Sequence, residues 1–271
     1  KEEQVQRLGF EASDMLYATY HKLKKNLLVE ELVPVGDDIT RLRRIKTPQE
    51  LEYIKEAAAI GDKVFSEMLN FIKPGMTELE IAARIEYLLK VYGGQKSSFP
   101  AIVASGINSS MPHAIPSQKK IENGDFLTMD FGCVYEGYCS DMTRTIVIGK
   151  ASDKQKEVYN TVLKAQLAVL DFIKAGYTGK EVDKVARDII YGAGYEGCFG
   201  HGLGHSVGLF IHESPRLSPA EDEVILAGMT ETIEPGIYIK GFGGVRIEDL
   251  VVVTDTGCEN FTHSEKNLIE L

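Results

Sequence analysis

The sequence predicts an α+β domain made of two duplicated halves related by a pseudo-twofold axis, with helices outside and antiparallel strands facing a central site. The first observation is a helical repeat: residues 72–77 (IKPGMT) return 101 residues later as residues 173–178 (IKAGYT). The second is a repeat of strand-like segments, each with a glycine six residues before an acid and another two residues after it. Since chance rarely produces both repeats in one chain, we interpret them as one duplication.

Each half begins with a pair of helices. The first pair is expected over about residues 47–72 and 78–92, and it starts at TPQE, which places proline at the first helical position. The second pair is expected over about residues 153–174 and 179–191. In both halves the threonine before the second helix precedes a glutamate by three residues, which is the spacing of a capping box. Apolar residues recur at helical spacing in the third helix and are expected in the core: Val158, Val162, Ala165, Val169 and Phe172.

The strand-like segments carry acids at matching positions. Asp130 is followed 11 residues later by Asp141, and Glu234 is followed 14 residues later by Glu248, each time across a glycine-containing turn. We therefore expect two hairpins with one acid on each strand. Four such acids among apolar neighbours would repel one another in a shared cleft unless divalent metal neutralised them.

Composition excludes several classes of function. The 30 Lys and Arg against 40 Asp and Glu give a net charge of −10, which disfavours nucleic acid as a partner. No apolar stretch approaches the roughly 20 residues that span a bilayer, and we expect no signal peptide. The four cysteines lack the spacing of a zinc or redox site and are expected to be free thiols. These features predict a cytoplasmic protein that does not bind membranes.

Residues 1–43 have no counterpart in the repeat. They include a helix-like stretch at about residues 14–25 and lead into a basic run at residues 41–44. About 40 residues rarely support a core of their own. We expect them to be the remnant of a larger amino-terminal domain and its linker, with residues 44–271 forming the main domain.

Histidine is concentrated in one segment. His201, His205 and His212 all lie within residues 199–213 (FGHGLGHSVGLFIHE). The glycines around the first two histidines let the backbone approach other groups closely, which suits a crowded site better than a helix. The segment lacks the acid of HExxH, so a helical zinc-peptidase site is disfavoured.

In chain order, these motifs resemble those of the pita-bread metallopeptidases, a family that includes methionine aminopeptidase, aminopeptidase P, prolidase and creatinase. The motifs are Pro112-His113, Asp130 and Asp141, the HGLGH run, His212-Glu213, Glu234-Pro235-Gly236 and residues 244–249 (GVRIED). The resemblance covers about residues 44–271. It implies a pita-bread catalytic domain around a central antiparallel sheet, preceded at residues 1–43 by the end of a creatinase-like amino-terminal domain.

The resemblance also implies a centre of two divalent metal ions. Asp141 and Glu248 would bridge the two ions, Asp130 would complete the first site, and His205 with Glu234 would complete the second. Such a ligand set suits Mn²⁺, Co²⁺, Zn²⁺ or Fe²⁺, and Mn²⁺ is the first expectation. Two bridged cations can lower the pKa of a shared water enough to supply hydroxide near neutral pH.

Further residues are expected to act around the metals. By resemblance, Glu234 would also handle the proton of that water. Arg246, two residues before Glu248 on the same face of a strand, would orient Asp141 or bind a substrate carboxylate. Three histidines would contact the substrate or stabilise the tetrahedral intermediate: His113, His201 and His212.

Within the family, the sequence favours a proline-specific peptidase. His201 and His205 form a pair four residues apart that is followed by Arg246, and this pattern resembles the proline-specific peptidases. The pattern of methionine aminopeptidases has a single histidine in place of the pair. We therefore predict a metallo-exopeptidase that cleaves between an N-terminal residue and a following proline, as dipeptidase or aminopeptidase. Methionine aminopeptidase and a non-catalytic peptide-binding module on the same fold are the alternatives. A homodimer stays open.

Overall fold

The computed structural model describes residues 5–36 and 38–271, which divide into two compact units between Arg43 and Arg44. In the first unit, two parallel strands alternate with two helices that have no buried residue. Its elements are β1 (Arg7–Glu11), α1 (Tyr17–Asn26), β2 (Glu31–Val35) and α2 (Asp38–Leu42). The helix expected at about residues 14–25 is therefore confirmed, with a start about three residues later.

Two pairs of helices form the outside of the second unit, Arg44–Leu271, and each of the four helices begins at a capping box. At α6, for example, the Thr178 side chain accepts from the backbone N–H of Glu181, and the Glu181 carboxylate accepts from the backbone N–H of Thr178. The helices are α3 (Pro48–Phe71), α4 (Glu78–Val91), α5 (Asp153–Phe172) and α6 (Gly179–Gly192). All four predicted helices are confirmed to within two residues at each end.

The strands of the first half form two small antiparallel sheets, ordered β4-β5-β8 and β3-β6-β7. A 3₁₀ helix, Gly106–Ser110, follows β4. The strands are β3 (Lys96–Ser97), β4 (Ile102–Ser105), β5 (Phe126–Phe131), β6 (Cys133–Tyr135), β7 (Tyr138–Cys139) and β8 (Met142–Val147).

The strands of the second half form three antiparallel sheets, ordered β11-β14-β15, β12-β13 and β9-β10. Its strands are β9 (Gly204–Ser206), β10 (Glu213–Leu217), β11 (Thr230–Ile233), β12 (Gly236–Ile239), β13 (Gly243–Arg246), β14 (Asp249–Val253) and β15 (Cys258–Asn260). Both predicted hairpins are present, and the strand pairing of each is interrupted once. The paired strands β5 and β8 continue into the pair β6 and β7, and the paired strands β11 and β14 continue into the pair β12 and β13. Three of the four acids lie at these interruptions, and Asp130 lies within β5.

The helices pack on the strands in two main apolar cores, and a smaller third cluster joins α3 of the first half to β14 of the second. In α5 the predicted stripe is fully buried at Val158, Val162, Ala165 and Val169. Phe172, at the end of that stripe, is only partly buried and stacks on Tyr177 with ring centroids 4.4 Å apart. All four cysteines are free. Within residues 5–36 and 38–271, no helix has the length and apolar character needed to cross a bilayer.

Candidate metal centre

Three of the predicted acids meet in the interior of the second unit. Asp130, Asp141 and Glu248 each offer one carboxylate oxygen, and these three oxygens lie within 4.8 Å of one another. The pairing of β5 with β8 sets Asp130 opposite Thr143, and the backbone N–H of Glu248 donates to the carbonyl of the same Thr143 at 3.1 Å. The acids of the two halves are thus joined through neighbouring strands, as the duplicated hairpins predict.

His205 and Glu234 complete the cluster. His205 Nε2 lies 3.6 Å from Asp141 Oδ2 and 3.5 Å from Glu234 Oε1. The His205 Nδ1 atom contacts the Ser206 carbonyl at 3.1 Å, so it carries the proton and leaves the Nε2 lone pair facing the acids. Burial lowers the pKa of His205 to about 3, which keeps the ring neutral.

The cluster is electrostatically unsatisfied without cations. Burial, together with Glu248 and Asp130, raises the pKa of Asp141 well above its ordinary value. Burial also raises the pKa of Glu248, and the nearby carboxylates of Glu234 and Asp130 raise it further. Burial raises the pKa of Glu234 to about 7. Asp130 Oδ1 and Glu248 Oε1 are buried and have no hydrogen-bond partner. Unpartnered carboxylate oxygens beside one neutral imidazole are a donor set that fits divalent cations.

Segment 199–205, which carries two of the histidines, is held by α6. Arg187 donates to the carbonyl of His201 at 2.9 Å, and Asp183 Oδ1 accepts from the backbone N–H of Leu203 at 3.1 Å. The next strand, β9, lies against β11, where the Thr232 hydroxyl accepts from the backbone N–H of His205 at 3.0 Å. Contacts from a helix and a strand therefore determine where the histidine pair lies.

Arg246 is buried and has a partner for each of its three guanidinium nitrogens. Nη2 donates to Asp130 Oδ2 at 2.6 Å, Nε to Thr143 Oγ1 at 3.0 Å, and Nη1 to Tyr238 Oη at 2.8 Å. The Thr143 hydroxyl in turn donates to Glu248 Oε2 at 2.6 Å. Arg246 therefore orients Asp130 rather than the expected Asp141, and its guanidinium is not free to bind a substrate carboxylate.

Tyr238 is a residue of the site that the sequence analysis missed. Its hydroxyl accepts from Arg246 and lies 2.8 Å from His201 Nε2, while His201 Nδ1 contacts the Gly202 carbonyl at 2.7 Å. The Nδ1 atom therefore carries the proton, and Nε2 accepts from Tyr238. Burial and Arg246 lower the pKa of His201 to about 4, so its ring is neutral. Tyr238 lies in β12, which pairs with the strand that carries Arg246, and no motif of the sequence singled it out.

The cavity beside the cluster has a volume of about 310 Å³, and all five predicted ligand residues line it. His113 and His212 also line it and are exposed, and the His212 ring centroid is 4.5 Å from that of His205. Arg216 lines the same cavity, and among the described residues its guanidinium has no hydrogen-bonded or ion-paired partner. The remaining lining residues include apolar side chains, namely Phe99, Ile102, Pro112 and Ile211.

Asp249, next to Glu248 in sequence, lies on the opposite face of the strand and takes no part in the cluster. It is fully buried and pairs with Arg144 at 2.8 Å and Lys266 at 2.6 Å. The Gln166 and Asn260 side chains also donate to it. Asp249 therefore belongs to a structural ion-pair network.

Comparison with known proteins finds close relatives of this chain. The Xaa-Pro dipeptidase of Pyrococcus horikoshii is 44% identical over 98% of this chain and 76% of its own length. The solved Xaa-Pro dipeptidase from Bacillus anthracis is 49% identical with a TM-score of 0.96, covering 98% of this chain and 75% of that one. The solved X-Pro aminopeptidase from Thermotoga maritima is 39% identical with a TM-score of 0.95, covering 98% of this chain and 76% of that one.

These likenesses confirm the predicted pita-bread fold. The model of one family, described as metallopeptidase family M24, matches residues 52–255. That match covers most of the second unit, including all five predicted ligand residues. The chain therefore belongs to metallopeptidase family M24.

Proposed function

We propose that this protein is a metallo-exopeptidase that hydrolyses the bond between an N-terminal residue and a following proline. The observation that carries the proposal is the convergence of five ligand-type residues on one cavity that is also lined by exposed histidines. Relatives named Xaa-Pro dipeptidase and X-Pro aminopeptidase support the choice of substrate. Methionine aminopeptidase and a non-catalytic binding module stay as alternatives.

Asp130, Asp141, His205, Glu234 and Glu248 are proposed to hold two divalent ions. Mn²⁺ is the first candidate, with Co²⁺, Zn²⁺ and Fe²⁺ as the others. When bound, such ions lower the pKa of water and stabilise the negative charge that develops on the substrate carbonyl. The unpartnered oxygens of Asp130 and Glu248 support this assignment.

The other side chains are proposed to handle protons and substrate. Glu234, held by a hydrogen bond from Thr232 at 3.0 Å, would take the proton of the attacking water and return it to the leaving nitrogen. His113 and His212 are exposed at the cavity and would donate to the substrate carbonyl groups. Since both ring nitrogens of His201 are engaged, His201 would shape the pocket wall together with Tyr238.

The position of Arg216 favours a dipeptide over longer peptides as the substrate. A dipeptide presents a free carboxylate one residue beyond the scissile bond, and Arg216 offers a cation in the cavity that has no partner among the described residues. Arg246 is unsuited to that role because its guanidinium already donates hydrogen bonds to Asp130, Thr143 and Tyr238. We therefore propose dipeptidase rather than aminopeptidase activity.

The test compares Ala-Pro, Ala-Pro-Ala and Met-Ala-Ser as substrates of the Mn²⁺-loaded protein, with product release followed by chromatography. We expect Ala-Pro to be cleaved best, and Arg216→Gln to raise its KM about 10- to 100-fold, as for loss of a charged hydrogen bond. Lys180→Gln, an exposed cation paired with Asp222, is the matched control and should leave KM unchanged. Preferred cleavage of Met-Ala-Ser would indicate methionine aminopeptidase, and no cleavage by the metal-loaded protein would favour a binding module.

We propose a cytoplasmic location on the basis of the four free thiols, which are typical of a reducing compartment. Formation of a homodimer and the origin of residues 1–43 in a creatinase-like amino-terminal domain stay predictions. Light scattering of the purified protein tests the first of these.

A further inference from the structure

Glu78, the first residue of α4, is fully buried and was not among the predicted site residues. Its carboxylate accepts six hydrogen bonds from three residues. Oε1 accepts from the backbone N–H of Ser105 at 2.7 Å and its hydroxyl at 2.9 Å, and Oε2 accepts from those of Ser117 at 3.1 and 2.6 Å. The Asn108 side-chain amide donates to both oxygens, at 3.1 and 3.2 Å. So many donors indicate that this buried acid holds the segment that supplies them, in addition to starting a helix.

The donors lie at the two ends of one loop. We call residues 105–117 the His113 loop: it contains the 3₁₀ helix and then irregular backbone that reaches the cavity at Pro112 and His113. No strand pairing joins the two ends of this described segment. The Glu78 carboxylate joins them instead, because Ser105 is bound on one side of it and Ser117 on the other.

In the second half of the molecule, the corresponding region is held together without such an acid. Gly179 follows the helix-capping Thr178 as Glu78 follows Thr77, and both backbone N–H groups donate to a carbonyl of the following segment at 3.1 Å. There the corresponding region is the paired strands β9 and β10, which are joined by backbone hydrogen bonds. A Cβ on Gly179 would lie 2.1 Å from the Arg216 carbonyl oxygen, so no side chain fits. Where the strand ladder is missing, a carboxylate takes its place.

We propose that Glu78 is a positioning residue of the active site, which holds both ends of the His113 loop and thereby sets the His113 imidazole at the cavity. The proposal rests on the proposed function, which places His113 against the substrate. Glu78 itself does not line the cavity. Its effect on catalysis therefore passes through the loop.

Glu78→Gln tests the proposal, because it keeps the size of the side chain and replaces one acceptor oxygen with an NH₂ group facing N–H and O–H donors. We expect faster amide hydrogen exchange within residues 105–117, and a kcat for Ala-Pro that falls about 10-fold or more with little change in KM or metal content. In the His113→Ala background the same substitution should lower kcat less than twofold, since the group it positions is gone.

Glu80→Ala is the matched control, since Glu80 binds the backbone N–H of Thr77 on the same helix and does not touch the loop. It should lower the melting temperature and leave loop exchange and kcat unchanged. Ser117→Ala, which removes one hydroxyl donor, serves as a milder second variant with the same signature if Glu78→Gln folds poorly. Unchanged loop exchange, or an equal loss of kcat with and without His113, would overturn the proposal. Wild-type protein inactive on every peptide would refute the proposed function instead, while loop exchange would still decide whether Glu78 holds the loop.

Discussion

Glu231 is a buried acid outside the metal cluster that has no hydrogen-bond partner for either carboxylate oxygen. It lies in β11 between Thr230 and Thr232, and its side chain points to the opposite face from theirs. Burial raises the pKa of Glu231 well above its ordinary value, with Lys46 acting in the opposite direction. At pH values between the unfolded and the folded pKa, the folded protein therefore keeps a proton on this side chain that the unfolded chain releases.

This proton makes stability depend on pH in a direction opposite to that of a paired carboxylate. Since the folded pKa is raised, the free energy of unfolding falls as pH rises above the unfolded value of about 4.3. We expect Glu231→Gln to melt at a higher temperature than wild type at pH 7, and the difference to shrink at pH 4.5. Melting of metal-free protein at both pH values checks this, with the exposed Glu52→Gln as control. A Gln variant less stable than wild type at pH 7 would contradict it.

At the scale of the element, segment 199–205 shows which of its glycines the close packing requires. A Cβ on Gly204, in β9, would lie 1.8 Å from the Thr232 carbonyl oxygen, whereas one on Gly200 would meet nothing within 4 Å. The expected close approach of backbone is thus found at Gly204 and at Gly202, where a Cβ would lie 2.8 Å from the Leu217 carbonyl oxygen, and not at Gly200. It lets β9 lie against β11 and brings His205 next to Glu234.

Gly204→Ala is therefore expected to separate β9 from β11 and displace His205. Overpacking of this kind destabilises by about 1–3 kcal/mol, and the variant should also bind less Mn²⁺. Gly200→Ala, four residues earlier in the same segment, is the matched control and should resemble wild type. Denaturant unfolding and elemental analysis measure the two effects. Full metal content in Gly204→Ala would show that the strand tolerates the added methyl group.

At the scale of the whole catalytic unit, the proposed ligands come from both halves of the duplication. Asp130 and Asp141 belong to the first half, and His205, Glu234 and Glu248 to the second. Bound cations would neutralise the buried acids and also tie the two halves together. Metal-free protein should therefore be less stable than loaded protein.

We expect elemental analysis to find two divalent ions per chain after loading, and each Mn²⁺ site at 100 times its Kd to stabilise the protein by about 2.7 kcal/mol. Glu248→Ala should lose both ions, because a bridging ligand serves each. Asp249→Ala is a poor control, since it would break the ion pair with Arg144, and the exposed Asp255→Ala is the better one. A stoichiometry near zero in wild type would refute the metal assignment.

The sequence by itself determined the helices and most of the polar residues that line the cavity. Proline at the first helical position after Thr47, the capping boxes at Thr77 and Thr178, and the apolar periodicity of α5 are local signals, so they predicted helix bounds to within two residues. The duplicated spacing of glycines and acids identified the two hairpins, because a repeated unit folds in the same way twice.

Only the tertiary structure decided which side chains bind one another within that set. Arg246 meets Asp130, 116 residues away in sequence, rather than Asp141, and Glu78 meets Ser117 across 39 residues. It also decided that Phe172 lies at the margin of the core and that Asp249 joins a buried ion-pair network. The reason is that periodicity and capping depend on neighbours a few residues apart, whereas hydrogen bonds between distant segments depend on how strands from both halves pack.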